Sequence, residues 1–181
     1  MPEIKGADLV AVDFDPFVES ATLPLTVQQT EVWVESQMGA EASCAFNQCF
    51  VLSLQGALSV EVMQNALDQV ISRHGALRAR FDKDGDRQRI LPQAEVKLDL
   101  EDLSGFSEEQ RQDAIERLLD RETSEPFDLA NGPLLRAKVV REGTDLYRLI
   151  LTIHHIVCDG WSSSVLFTDL AASYAAGHFG L

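Results

Sequence analysis

His154-His155-Ile156-Val157-Cys158-Asp159-Gly160 is the stretch of this sequence whose residue types and spacing could carry chemistry. A neutral imidazole takes a proton from an attacking amine or hydroxyl near physiological pH. An aspartate four residues after the second histidine can turn back, pair with an arginine and fix the loop. The glycine beside it lets a substrate approach the backbone closely. Unpaired N–H groups at the start of a following helix favour a developing oxyanion. Metal chelation fits less well: neighbours on a strand point to opposite faces, and Cys158 brings no further ligand cluster. Adjacent histidines at a strand end also serve packing alone, and residue type does not separate the two uses.

The elements that must hold this run are legible from periodicity. Leu146 to Ile153 is nearly continuous in apolar residues, which predicts a central strand covered on both faces, ending at the histidines. Leu134 to Arg141 pairs with it through Glu142-Gly143-Thr144-Asp145. A helix near Ser162 presents Leu166, Leu170 and Tyr174 at four-residue steps. Upstream, Val27 to Met38 reads as a short helix. Phe46, Gln48, Phe50, Leu52 and Leu54 line one face of a strand. Ser59 caps a helix with Met63, Ala66, Leu67, Val70 and Ile71 on one side, stopped at Gly75. Leu77 to Phe81 and Gln88 to Leu91 form a hairpin about Asp84-Gly85. Ser107 and Gln110 have capping-box spacing before a stripe of Ala114, Ile115, Leu118 and Leu119, and Pro126 ends that helix. The sum is an α+β fold, a mostly antiparallel sheet with helices packed on it.

Composition narrows the function classes. The 181 residues carry a net charge of −14, which disfavours nucleic acid and anionic membrane as partners, because both need clustered basic surface. Arg73, Arg78, Arg80, Arg87 and Arg89 are interleaved with Asp82, Asp84 and Asp86, so that segment reads as a neutralised surface hairpin. The longest apolar runs fall far short of the ~20 residues of a spanning helix, and no secretory signal is visible. Cys44, Cys49 and Cys158 lack CxxC spacing and read as reduced thiols of a cytoplasmic protein.

The histidine run resembles the HHxxxDG signature of condensation domains of nonribosomal peptide synthetases, which are chloramphenicol acetyltransferase-like acyltransferases. Arg73-His74-Gly75-Ala76-Leu77-Arg78 with Phe81 is similar to the family's RHxxLR segment. Pro126-Phe127-Asp128-Leu129 and Gly132-Pro133-Leu134-Leu135-Arg136 look like its PFDL and GPLLR stretches. Leu25-Thr26-Val27-Gln28-Gln29 through Trp33 resembles the opening motif, except that Glu31 stands where the family usually carries arginine. That departure, with Val157-Cys158-Asp159-Gly160-Trp161-Ser162, looks similar to domains of mixed polyketide–peptide lines.

The resemblance implies a lead-in over residues 1–22 and the N-terminal lobe of a condensation domain over 23–181, with the C-terminal lobe absent. It places His155 at the reaction centre, with His154 a less essential neighbour, Asp159 chiefly structural and Gly160 keeping the channel open. The implied reaction forms an amide between a carrier-bound acyl or peptidyl thioester donor and a carrier-bound aminoacyl acceptor. No cofactor is bound directly; substrates arrive on the phosphopantetheine of donor and acceptor carrier proteins. The other implied partners are the missing lobe and neighbouring synthetase domains, and the isolated lobe is expected to be inactive. Ester-forming, cyclising and epimerising relatives share the signature, and a non-catalytic carrier-docking module is the reading from a different class. Arg73 and Arg78 are expected to pair with acids, Trp33 and Trp161 to lie in the core or a channel wall, and Phe127 to anchor its loop.

Overall fold

The computed structural model describes residues 21–179, so the expected lead-in lies outside the described residues up to residue 20. The described residues open on strand β1, Ala21–Pro24. Helices α1 (Val27–Ser36) and α2 (Ala40–Cys44) follow, then β2 (Asn47–Gln55) and α3 (Val60–Arg73). A 3₁₀ turn over Gly75–Arg78 leads into the hairpin of β3 (Ala79–Phe81) and β4 (Arg87–Ile90). The chain continues through β5 (Leu98–Asp102), α4 (Glu108–Ser124), β6 (Leu135–Arg141), β7 (Leu146–His154) and α5 (Gly160–Phe179). Among the described residues no helix is long and apolar enough to cross a membrane.

Two sheets form. The larger has the order β2-β7-β6-β5 and is antiparallel except for the β5–β6 pair; the smaller has the order β1-β4-β3. Central β7 is flanked on both sides, and its period-two alternation divides the lobe. Leu149, Leu151 and Ile153 join the core built with α3 and α5. Ile150 on the opposite face joins Ile115 and Leu118 of α4, with Leu103 and Val140. A third cluster of Ala79, Phe81, Phe127, Leu129, Leu134 and Ile156 fills the space beneath the small sheet.

The expected helices form where their caps are. Ser59 and Ser107 accept from the N–H groups of Val62 and Gln110, and Thr26 with Gln29 makes a further capping box. Gly75 does not stop α3: the C-cap is His74, in extended conformation, and Gly75 begins the 3₁₀ turn that takes Leu77 and Arg78 out of the expected strand. α4 is pinned to the sheet at both ends by buried carboxylates. Glu142 pairs with Arg148 at 2.5 Å and receives Arg111 of α4 through its backbone carbonyl. Glu122, in the last turn of α4, pairs with Arg136 of β6 at 3.0 Å.

The basic hairpin is not wholly a surface feature. Arg78 is buried and donates to the carbonyls of Ile71, Ser72 and Leu91 rather than to an acid. Arg80 is also buried, bonded to the Ala79 carbonyl, and burial lowers its pKa. Arg87 and Arg89 remain exposed.

Gly85 turns the hairpin at φ +72°, and a Cβ there would lie 2.5 Å from Cε3 of Trp33. Gly85→Ala meets both the left-handed backbone penalty and a ring that packs beside the third core cluster, so a loss of roughly 2–4 kcal/mol is expected. Chemical denaturation measures it; a change below about 0.5 kcal/mol would mean that Trp33 swings aside freely.

Candidate active site

The two histidines leave β7 in opposite directions and into opposite environments. His154, the last residue of the strand, has 0% exposure, whereas His155 is exposed. They do not share an ion. Among the described residues no group of three or more His, Cys, Asp or Glu side chains is placed to hold a metal.

Each ring carries its proton on a different nitrogen, as its partners dictate. The Ile156 N–H donates to Nδ1 of His154 at 3.3 Å, so the proton of that neutral ring sits on Nε2. That Nε2 has no hydrogen-bond partner and is walled by Phe46 and Phe127, each ring centroid 5.9 Å away. Burial first, and then the neighbouring His155, lower the pKa of His154 to about 4, against a smaller opposing effect of the Ser43 backbone. His155 has the reverse arrangement. Its Nδ1 lies 2.7 Å from the Cys158 carbonyl, which can only accept, so Nδ1 carries the proton and Nε2 keeps its lone pair. The backbone N–H of His155 is tied to the Phe46 carbonyl at 2.9 Å.

His155 lines an open cleft of 370 Å³ with Thr26, Gln28, Gln29, Val32 and Asp159 among its neighbours. The opening-motif residues thus meet the histidine run in space. Gln29 exchanges hydrogen bonds with Gln88 and reaches the Ile156 carbonyl at 3.4 Å, which holds the start of α1 to the histidine loop. Glu31 is exposed on α1, and no hydrogen bond or ion pair holds it among the described residues.

Within this lobe Asp159 ties the histidine loop to the helix that follows it. Its Oδ1 accepts from the backbone N–H and hydroxyl of Ser162 at 2.7 and 2.6 Å, and its carbonyl accepts from the Ser163 N–H. It therefore caps α5, which begins at Gly160, two residues before the expected start. Among the described residues no arginine pairs with it. The Ser162 hydroxyl bond, then the Ser162 N–H, holds its carboxyl below the usual range. These bonds also occupy first-turn N–H groups that the sequence suggested were free for an oxyanion. A Cβ on Gly160 would meet nothing within 4 Å. Cys158 is buried, and burial pushes its thiol up to about 11, which leaves it protonated and inert at neutral pH.

The remaining motif residues divide between core and surface. Trp33 packs into the third core cluster, but Trp161 is 81% exposed and contributes nothing to a core within this lobe. Arg73 pairs with Asp169 of α5 at 3.2 Å, and His74 meets the same carboxylate at 2.8 Å. Phe127 is buried, and Asp128 ties the loop around it by accepting from the N–H groups of Ala130 and Asn131. Gln88, Asn47 and Glu122, polar residues around the histidine loop, carry no motif signal of their own. Gln29, by contrast, stands in the opening motif and at a capping-box position.

A family model for the condensation domain matches residues 19–180. The chain belongs to the condensation domain family. Chondramide synthase cmdD of Chondromyces crocatus is 40% identical over 163 residues, 89% of this chain and 4% of that protein. A linear gramicidin synthase of Brevibacillus parabrevis is 36% identical over 94% of this chain and 2% of its own length. Among solved structures, the starter condensation domain of rhizomide synthetase RzmA superposes with a TM-score of 0.80 at 25% identity, covering 89% of this chain and 40% of that one. The first condensation domain of the calcium-dependent antibiotic synthetase gives 0.78 at 27% identity, covering 89% and 39%. The fold is thus the expected chloramphenicol acetyltransferase-like one. This condensation-domain chain spans about two-fifths of those solved chains, as an N-terminal lobe does.

Two outcomes follow from this geometry. Because the folded state refuses a proton at His154 that the unfolded chain accepts, stability is complete above about pH 6.5 and declines as pH falls toward 4. The loss amounts to roughly 3 kcal/mol. Denaturation of wild type and His154→Asn across that window should show a steeper wild-type slope; parallel curves would mean that the buried ring is charged. Asp159→Ala removes a helix cap and should lower Tm by a few degrees, whereas Asp159→Asn, which still accepts from Ser162, should restore most of it. Equal losses in both variants would place the weight on the negative charge instead.

Proposed function

We propose that this lobe supplies the reacting histidine of an amide-forming acyl transfer between two carrier-bound substrates. The observation that carries the reading is the tautomer of His155: Nδ1–H is committed to the Cys158 carbonyl, and Nε2 is left as a lone pair in an exposed ring beside an open cleft. A lone pair so placed receives the proton of an acceptor amine as its nitrogen attacks the donor thioester carbonyl. The C–N bond forms, the C–S bond breaks, and the proton passes from Nε2 to the departing thiolate. Asp159 holds the loop through α5, and the empty space beside Gly160 leaves room for the reactants.

A relative named as a phosphinothricin tripeptide synthetase supports a peptide product, hence amide formation. In this reading the substrates ride on phosphopantetheine arms of donor and acceptor carrier proteins, and no cofactor binds the lobe directly. A C-terminal lobe and neighbouring synthetase domains complete the tunnel and docking surfaces. Three unpaired thiols suit a reducing cytoplasm.

In a complete module with both carriers loaded, His155→Ala should lower condensation by about 10²–10⁴-fold while the melting curve is retained. The 181-residue chain alone should give no condensed thioester in intact-protein mass spectrometry, because half a tunnel cannot align two tethered reactants. Near-normal turnover by the His155→Ala module would leave the lobe as a docking module.

A further inference from the structure

The strand end that carries the histidines is held from behind by charged side chains. Thr152, His154, Arg136 and Asn47 gather at the C-terminal end of α4. Glu122 of α4 is buried, and its Oε2 accepts from Nε of Arg136 at 3.0 Å and from the Thr152 hydroxyl at 3.2 Å. Arg136 also donates through Nη2 to the carbonyls of Glu122 and Glu125, at 2.7 and 3.0 Å. Its guanidinium carbon lies 4.0 Å over the ring of Phe127, and Phe127 meets the His154 ring edge-on. Asn47, opposite His154 in the β2–β7 register, donates to the carbonyls of Thr123 and Glu125. The end of one helix is thereby tied to β2, β6 and β7 at a single point behind His154.

Stability gives little reason for a buried carboxylate there, since well-packed apolar side chains often hold such a place as well or better. A guanidinium fork bonded to one carboxylate and two carbonyls supplies direction instead, because it cannot slide as an apolar contact can. The fork fixes the plane of Phe127, Phe127 and Phe46 fix the ring of His154, and the next residue is His155. The ring of His155 has one further tie, its bond to the Cys158 carbonyl. We infer that Arg136 and Glu122 are positioning residues for His155, acting through Phe127 and His154. The inference rests on the reading of His155 as the reacting residue.

The test uses the complete condensation module with both carriers loaded. Arg136→Met combined with Glu122→Gln removes both charges of the pair, and Lys138, whose Nζ lies 3.8 Å from Oε1 of Glu122, keeps an amide side chain as its neighbour. Well below its melting temperature, this double variant is expected to lose between about 10- and 100-fold in kcat, with KM for each carrier unchanged within about two-fold. Arg136→Lys keeps the charge beside Glu122 without the fork and should fall between the double variant and wild type. In a His155→Ala background the double change should cost nothing more, because a device that acts through His155 has nothing left to act on. Wild-type kcat in the folded double variant, or an equal further loss in the His155→Ala background, overturns the inference. If the double variant does not fold, Arg136→Lys and Phe127→Leu carry the test, and wild-type kcat in both overturns it. A His155→Ala module that turns over normally removes the reading of His155 itself, which separates that failure from the failure of the clamp.

Discussion

A strand buried on both faces can offer a reactive side chain to solvent only where the strand ends, and that constraint organises this lobe. β7 sends Leu149, Leu151 and Ile153 to the layer of α3 and α5, and Ile150, Thr152 and His154 to the side of α4. Both layers are full, so the alternation has no free position until the chain turns after His154. The registers that place Asn47 opposite His154 and Leu135 opposite Ile153 then fix which residue emerges first. It is His155.

Two identical side chains one residue apart consequently have different chemistry. His154 is neutral because burial makes charging it cost more than its surroundings return. His155 meets a carbonyl on one nitrogen and open space on the other, which sets its tautomer without any carboxylate. Asp159, the acid nearest in sequence, spends its oxygens on the first turn of α5. The aspartate therefore shapes the loop that supplies the Cys158 carbonyl, and its influence on the imidazole is geometric.

Charge is placed economically in the remainder of the lobe. Among the described residues most acidic side chains are exposed, while the buried glutamates Glu122 and Glu142 are each met by arginine. Both pairs staple α4 to the sheet, one at each end. Only the pair at Glu122 lies beneath the histidines, where Arg136 stacks on Phe127. Apolar burial supplies the cohesion of this layer, and the ion pairs supply its orientation.

Local signals settled much of this protein in advance. The stripe Met63, Ala66, Leu67, Val70, Ile71 and the caps at Ser59 and Ser107 act within one or two helical turns, so they could be read directly and formed as expected. The apolar run ahead of His154 announced a central strand for the same reason, and the order of motifs along the chain identified the family. Strand β5 escaped notice because its pairing is parallel and non-local, with β6 more than thirty residues away, and three of its five residues are exposed. The short α2, the 3₁₀ turn at Gly75 and the burial of Arg78 and Arg80 depend on contacts that no window of sequence contains. So do the partners of the site. That Gln29 would reach Ile156, that Arg136 would lie over Phe127, and that Asp159 would cap α5 were decided by packing. Sequence determines which groups are available and how each segment curls; only the closed core determines which of them meet, because hydrogen bonds and ring contacts act over a few ångströms between residues far apart in the chain.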